Sequence, residues 1–264
     1  MGALSKQQSI EATQRPLRVL TGWKQAGIVA IIMLVGLALR LFHLDFAGYW
    51  HDEIISTFLA RVPAVEIFRS ITDSDTHPPL YHILLHFWGA LFSYDLIPLR
   101  LFSVLTSLLC IPLSYWLGRA VDGPAVGIAT AALMALAPFQ IFHSQQARMY
   151  PLLTLVVLLM LLSFLGAWRQ GGAARWALFG LVAAAGFYTH VYFAFSLLAL
   201  DLWALAESAR MAALGQADPG PACGGGALQP ILAHDAPSDQ QRGVRLLDFA
   251  GHDHGLDLCA NDGR

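Results

Sequence analysis

Two adjacent carboxylates stand where the chain leaves its first long apolar run. Asp52 and Glu53 close the sequence Gly-Tyr-Trp-His-Asp-Glu that begins at Gly48. Ionisable groups at the edge of a membrane are candidates for a functional site. Asp52 is the better candidate for a general base, while Glu53 could orient it or bind an acceptor. Repulsion between the two should raise the pKa of one of them. The alternative is that the acids only open a helix, whose dipole favours negative charge at its start.

Polar residues that could bind a phosphate-bearing lipid follow at the ends of later apolar runs. Arg148 is the strongest of them, because a guanidinium that faces carboxylates also suits a phosphate group. The alternative is an arginine that only snorkels to the interface, and Tyr188 and His190 could equally belong to an aromatic belt. The predicted substrate-binding residues are His51, His77, Tyr81, Arg100, Gln145, Arg148, Tyr150, Tyr188 and His190.

The sequence predicts no cofactor with certainty, although it is compatible with a bound divalent metal ion. Asp73 and Asp75 form a weak candidate pair of metal ligands, because two acids at this spacing are common by chance. The cysteines, Cys110, Cys223 and Cys259, are too scattered for a metal motif or a disulfide framework. Beyond the weak acidic pair, the sequence predicts no metal site.

The composition is that of an all-α integral membrane protein. Of 264 residues, 56% are apolar and only 13% are charged, about half the charged share of a soluble domain. The mean hydropathy is +0.54, and several apolar runs approach the roughly 20 residues that cross a bilayer as a helix. Membrane lipids are therefore expected partners. A net charge of −2 gives no reason to expect a nucleic-acid partner.

The apolar runs predict a membrane domain over residues 26–206 with about six spans. The basic segment 1–25 is predicted to be cytoplasmic by the positive-inside rule. The run 79–94 is short for a span. Placing it in the interface puts the later arginine loops in the cytoplasm and leaves the acidic stretch 45–97 outside. Within that stretch, 53–71 is predicted to form two amphipathic surface helices separated at Pro63. The predicted spans are 26–44, 99–118, 124–142, 151–168, 176–189 and 191–206.

This topology sorts the candidate residues onto one face of the membrane. The Asp52–Glu53 pair, Arg100, Arg148 and His190 all come out on the external side, and so do most of the ten histidines. A purely structural bundle would have no reason to sort ionisable groups in this way. Arg40 and His43, near the outer end of the first span, are expected to snorkel to the interface.

Four motifs occur in a consistent order over residues 26–206. GYWHDE follows the first span, THPPLYH opens the next segment, PLRLFSVL comes next, and SQQARMYPL follows the third span. Together they resemble the membrane glycosyltransferases that use polyprenyl-phosphate sugars, of the bacterial family-39 type akin to protein O-mannosyltransferases and aminoarabinose transferases. The resemblance implies a GT-C fold, a multi-span helical bundle with juxtamembrane amphipathic helices in the first external loop.

The resemblance also implies roles for individual residues. Asp52 matches the catalytic acid of the family's Asp-Glu pair, and Arg148 matches its external arginine after the third span. The position of His77 is lysine in the aminoarabinose transferases and histidine in the protein mannosyltransferases, so its contact with phosphate is less well defined. The donor would be a sugar linked to a lipid phosphate.

The leading hypothesis is therefore an inverting glycosyltransferase of the bacterial inner membrane. It would move a mannose-like hexose or a related sugar from a polyprenyl phosphate to a periplasmic acceptor of unknown identity. One alternative is a transporter-like subunit, but Arg40 and Asp201, both toward segment ends, are the few charges in the predicted spans. The other is a non-catalytic remnant, because residues 207–264 are polar and are expected to be disordered or out of frame, where the family continues with further spans.

Overall fold

A computed structural model of the chain describes residues 22–46, 48–73 and 78–216, without the side chains of 70–73 and 213–216. These residues form helices and no strand, which confirms the all-α prediction. The helices are α1 Gly22–Leu41, α2 His51–Arg61, α3 Ala64–Asp73, α4 Leu80–Leu91, α5 Leu96–Leu136, α6 Pro138–Ser144, α7 Tyr150–Gln170, α8 Ala173–Phe187 and α9 Phe193–Gln216.

Three of the described helices, α1, α5 and α7, are long and apolar enough to cross a membrane. The apolar helices α4 and α8 are shorter, with 12 and 15 residues. The chain is thus an integral membrane protein, while the predicted total of about six spans stays a prediction. Helix α9 continues past residue 206, where the polar tail was predicted to begin.

Helix α5 is a hairpin of two legs. Asp122 and Gly123 leave helical geometry, and Gly123 has a φ of 75°, which a glycine adopts without steric cost. The hydroxyl of Thr130 donates to the carbonyl of Ser114 at 2.8 Å, although sixteen residues of straight helix would span about 24 Å. The chain therefore reverses here, between the predicted spans 99–118 and 124–142. The second leg ends earlier than predicted, at Leu136, before α6 begins.

Glycine allows the two legs of α5 to touch. A Cβ atom on Gly127 would lie 2.7 Å from the backbone oxygen of Tyr115, and one on Gly118 would lie 2.9 Å from that of Val126. Helix α1 packs against the hairpin in the same way at Gly36, where a Cβ would lie 2.7 Å from Ile111 Cδ1. Small residues at such contacts let helix backbones approach closely in a membrane.

Helix α1 and the first leg of α5 run antiparallel, which separates two polar ends. At one end, Tyr115 and Arg119 both donate to the Gln25 side chain, at 2.8 and 2.9 Å, and Arg169 donates to the carbonyl of Ala120. At the other end, Arg100 donates to the carbonyl of Leu44. The basic loops and the Asp52–Glu53 pair therefore lie at opposite ends of the bundle.

Helix α4 is short and packs against the start of α5. The rings of Tyr81 and Trp88, two turns apart on α4, both approach Phe102, with centroid distances of 5.9 and 5.6 Å. With 12 residues, α4 is about 18 Å long, well short of the roughly 30 Å hydrocarbon core. This geometry agrees with the interfacial interpretation of 79–94. Helices α2 and α3 lie on either side of Pro63, where two helices were predicted.

Arg40 does not snorkel, and that expectation is wrong. The residue is fully buried. Its guanidinium donates to the carbonyls of Gly36, Met134 and Ala135 and to the hydroxyl of Ser107, at 2.9 to 3.1 Å. His43, beyond the end of α1, has a φ of 54°, and its ring stacks on Phe42. The close helix packing that Gly36 permits thus encloses an arginine expected at the surface.

Candidate active site

Glu53 is the most completely bonded carboxylate of the site. It is buried on the first turn of α2, and Arg100 donates to both of its oxygens, through Nε at 2.9 Å and Nη2 at 2.7 Å. The backbone N–H of Ala147 donates to it at 2.8 Å, and that of Trp50 at 3.3 Å. The bond from Trp50 is the return half of a capping box. The helix-opening role considered for the two acids therefore applies to Glu53.

These bonds hold the pKa of Glu53 below its ordinary value. Burial alone would raise the pKa, but the hydrogen bonds from Arg100, Ala147 and Trp50 and the charge of Arg100 together outweigh it. Hydrogen bonds to the charged form of a carboxyl favour ionisation. Repulsion between adjacent acids was expected to raise the pKa of one of the pair, and the pKa of Glu53 is shifted in the opposite direction.

Arg100 is held by the same region of the chain. Besides Glu53, its guanidinium donates to the carbonyls of Leu44 at 2.7 Å and Gly48 at 3.1 Å. It is almost fully buried. These bonds tie the start of α5 to the segment between α1 and α2. The geometry favours a structural role for Arg100 over the predicted contact with substrate.

Asp52, one residue earlier, is open to its surroundings. Its side chain is 57% exposed, and its one ion pair among the described residues is with Arg148, Oδ2 to Nη2, at 3.4 Å. Arg148 also donates from Nη1 to the backbone oxygen of Asp52 at 3.3 Å. Both distances exceed the usual length of a charge-assisted hydrogen bond. The carboxylate is therefore loosely held and accessible.

Arg148 is a largely buried cation with unused hydrogen-bonding capacity. Its side chain is only 10% exposed, and its Nε is buried with no hydrogen-bond partner in the described part of the chain. The guanidinium lies 5.9 Å from the ring centroid of Tyr150, within cation–π range. A buried donor left unpaired is costly, so this group is available to an anionic ligand.

The comparisons with known proteins agree with a transferase site. The model of the dolichyl-phosphate-mannose-protein mannosyltransferase family matches residues 76–218. The chain belongs to this family. The family supports a membrane glycosyltransferase of the mannosyltransferase type with a lipid-linked sugar donor. No curated protein and no solved structure matches the chain.

The mannosyltransferase match covers the arginines of the candidate site but not its carboxylates. Arg100 and Arg148 lie within the matched residues, whereas Asp52 and Glu53 precede them. Family membership therefore does not assign the base, and the case for Asp52 depends on its geometry beside Arg148.

The structure gathers most of the other predicted residues at this end of the bundle. The N–H of Leu80 donates to the carbonyl of Tyr188 at 2.9 Å. The ring of Tyr150 lies 6.0 Å from that of His190, whose Nδ1 accepts from the N–H of Tyr192. His51 is exposed at the start of α2. Tyr150 lies beside Arg148 and His51 directly precedes Asp52, and the contact of all these residues with substrate stays a prediction.

Two predicted substrate-binding residues, Gln145 and Tyr81, have contacts within the protein, and their contact with substrate stays a prediction. The side-chain amide of Gln145 donates to the carbonyl of Phe42 at 2.8 Å and to those of Leu39 and Arg40 at 3.3 and 3.4 Å. Tyr81 is buried in the core, and burial raises the pKa of its hydroxyl. Gln145 therefore fixes the loop before Arg148, and Tyr81 packs beneath the site.

The candidate metal ligands cannot be placed. Asp75 and His77 lie outside the described residues, and for Asp73 only the backbone is described. Among the residues that are described, no group of three or more potential ligands could hold a metal ion.

Two groups at the site are missing from the predicted set. The backbone N–H of Ala147 bonds Glu53, and a residue type carries no signal for a backbone donor. His143 packs its ring 4.5 Å from that of Tyr150, and burial lowers its pKa. The position of His143 near the SQQARMYPL motif was the signal that could have singled it out.

Proposed function

We propose that the protein is an inverting glycosyltransferase that moves a mannose-like hexose from a polyprenyl phosphate to an acceptor hydroxyl outside the membrane. One observation carries the proposal. The exposed carboxylate of Asp52 lies 3.4 Å from the mostly buried guanidinium of Arg148. A base open to the acceptor thus stands beside a cation suited to the phosphate of the donor. Family membership supports the reaction class and the lipid-linked donor.

The proposed reaction is a single displacement. The carboxylate of Asp52 removes the proton from the acceptor hydroxyl as its oxygen attacks the anomeric carbon from the side opposite the phosphate. The bond between that carbon and the phosphate oxygen breaks, and the lipid phosphate leaves with the electron pair. Arg148 stabilises the negative charge that develops on the phosphate. The products are the inverted glycoside, the lipid phosphate and a protonated Asp52.

Glu53 is a poorer base than its neighbour for a geometric reason. Four N–H groups already bond its two oxygens, and its pKa is lowered. A carboxylate that is so stabilised in its charged form has little tendency to accept a proton. Its proposed role is to hold Arg100 and the loop at Ala147 in place around Asp52.

The decisive experiment is sugar transfer by an Asp52→Asn variant. Protein purified in detergent would be given a radiolabelled polyprenyl-phosphate mannose and a panel of peptide, glycan and lipid acceptors. A general base contributes roughly 10²- to 10⁴-fold, so the turnover rate should fall by that factor while the protein still inserts. Glu66→Gln, which removes a carboxylate from the neighbouring helix α3, is the matched control and should leave the rate unchanged. Full activity in the Asp52 variant would refute the proposal.

The proposal includes an orientation. The N-terminus would lie in the cytoplasm of a bacterial cell, with Asp52 on the outer face of the inner membrane. The basic residues Arg119 and Arg169 at the opposite end support this, because cytoplasmic loops are enriched in arginine and lysine. A cysteine introduced at Asp45, in a chain with its natural cysteines replaced, should react with a membrane-impermeant thiol reagent in whole cells. If the introduced cysteine is labelled only after the cells are lysed, the protein has the opposite orientation.

A further inference from the structure

Arg40 is a buried cation that the proposed reaction does not use. It lies near the end of the spanning helix α1 and is fully buried. In the described part of the chain it forms no ion pair with a carboxylate, and its hydrogen-bond acceptors are three carbonyls and the hydroxyl of Ser107. Ionisable side chains within membrane segments are costly and mark function more often than stability.

Two of the three carbonyls that Arg40 binds belong to the end of α5. Met134 and Ala135 are in the last turn of α5, before the chain leaves helical geometry at Ala137. The last carbonyls of a helix have no partner within it, and the helix dipole favours a cation there. Arg40 thereby satisfies the end of α5 and fixes the point from which α6 and the loop at 145–149 continue.

Gln145 makes the reverse contact. Its amide, at the other end of α6, donates to the carbonyls of Leu39, Arg40 and Phe42 at the end of α1. Arg40 thus binds carbonyls at the end of α5, just before α6 begins, and Gln145 binds carbonyls at the end of α1, and we call these two side chains the Arg40–Gln145 clamp. The clamp holds both ends of α6 against α1.

The loop that follows the clamp carries the groups of the site. Ala147 donates its N–H to Glu53 at 2.8 Å, and Arg148 lies against Asp52. We infer that Arg40 is a positioning residue, which through the Arg40–Gln145 clamp sets the distance between Arg148 and Asp52. This inference rests on the proposed function. It assigns the buried charge to the geometry of the reaction, because an ionisable side chain within a membrane segment is by default a candidate for function.

The kinetic test uses Arg40→Met, Gln145→Leu and the double variant. A displacement of about 1 Å can cost roughly 10²-fold in rate, so each single variant should lower kcat by about 10- to 100-fold with KM little changed. Because the two side chains act as one unit, the double variant should lose no more than the worse single variant. Ser163→Ala on α7, whose hydroxyl donates to the carbonyl of Met160 within its own helix, is the matched control and should keep wild-type kcat.

Two results would overturn the inference. One is a folded Arg40→Met protein with wild-type kcat, and the other is a double variant whose loss is the product of the two single losses. If Arg40→Met does not insert, Gln145→Leu, at a partly exposed position, decides through its own kcat and KM.

A second measurement separates this inference from the proposed function. Hydrogen exchange followed by mass spectrometry should show faster exchange over 145–149 in Arg40→Met, while 150–170 is unchanged. This readout needs no substrate. A wild-type protein that transfers no sugar would refute the proposed function and leave the exchange result standing, whereas unchanged exchange at 145–149 would refute the positioning role.

Discussion

Two arginine–carboxylate pairs meet at the start of α2 and differ in almost every physical respect. Glu53 and Arg100 are buried and joined by two short bonds, with four further bonds to backbone groups. Asp52 and Arg148 are joined at 3.4 Å, and the aspartate is mostly exposed. The acids are neighbours in the sequence and of similar chemistry, so residue type does not separate their roles. Their roles are separated by the number of N–H groups that donate to each carboxylate.

The contrast has an energetic side. Removing one partner of a buried ion pair costs about 3–5 kcal/mol, because the other charge is left uncompensated. An exposed pair contributes only about 0–1 kcal/mol. One pair can therefore hold the site together while the other remains free to change its charge during a reaction.

The largest effect is expected from Glu53→Gln. The neutral amide leaves Arg100 buried without a counter-charge, so the free energy of unfolding should fall by about 3–5 kcal/mol. Thermal unfolding of the purified protein in detergent would measure this. The double variant Glu53→Gln/Arg100→Met should recover part of the loss. A Glu53→Gln protein as stable as wild type would show that the two pairs are energetically alike.

Acid should weaken the Glu53–Arg100 pair next. The folded-state pKa of Glu53 is lowered, so its contribution to stability is fully present above the unfolded value of about 4.3. That contribution is lost as the pH falls through the folded pKa. Unfolding temperatures measured from pH 7 down to about 3 should decline more steeply for wild type than for Glu53→Gln/Arg100→Met. Parallel curves would mean that Glu53 titrates normally.

A smaller effect is expected from Arg148→Lys. Lysine keeps the positive charge but loses the planar fork of donors, and a hydrogen bond to a charged group is worth about 1.5–3 kcal/mol. The kcat should therefore fall by roughly 10- to 100-fold, with an unfolding temperature close to wild type. The same substitution at Arg100 is the comparison, because there the loss should appear in stability. Equal stability losses at both positions would remove the distinction.

The smallest effect is expected in the stability of Asp52→Asn. Substitutions at exposed positions usually change the free energy of unfolding by less than about 0.5 kcal/mol. The variant expected to lower the turnover rate by roughly 10²- to 10⁴-fold should therefore unfold at nearly the wild-type temperature. A large drop would make Asp52 a structural residue like its neighbour.

Much of the fold could be predicted because hydropathy and helix breakers act locally. The membrane class, the helices on either side of Pro63 and the chain reversal before Pro124 follow from run lengths and from glycine and proline. The early end of α5 at Leu136 also has a local cause that the prediction passed over, because Ala137 precedes Pro138 and is extended. What could not be predicted is that Arg40, far away in the sequence, binds the carbonyls exposed there.

The site was predictable in its residue types and less so in its pairings. Asp52 and Arg148 were singled out by their positions at the ends of apolar runs, and the structure places them side by side. The partner of Glu53 is 47 residues away, and its third donor is a backbone group. A list of residue types cannot reveal such contacts. The prediction that Arg40 snorkels failed because snorkelling needs a route from the side chain to the membrane surface. Close packing at Gly36 removes that route.

The bond from Ala147 to Glu53 also has a consequence for biosynthesis. The two residues are 94 positions apart, and a ribosome that adds about 5–20 residues per second makes the second roughly 5–20 s after the first. During that interval Glu53 has already been synthesised but lacks its full set of donors. The candidate site is therefore completed late in translation, and a nascent chain arrested before Ala147 would carry Asp52 without the arginine beside it.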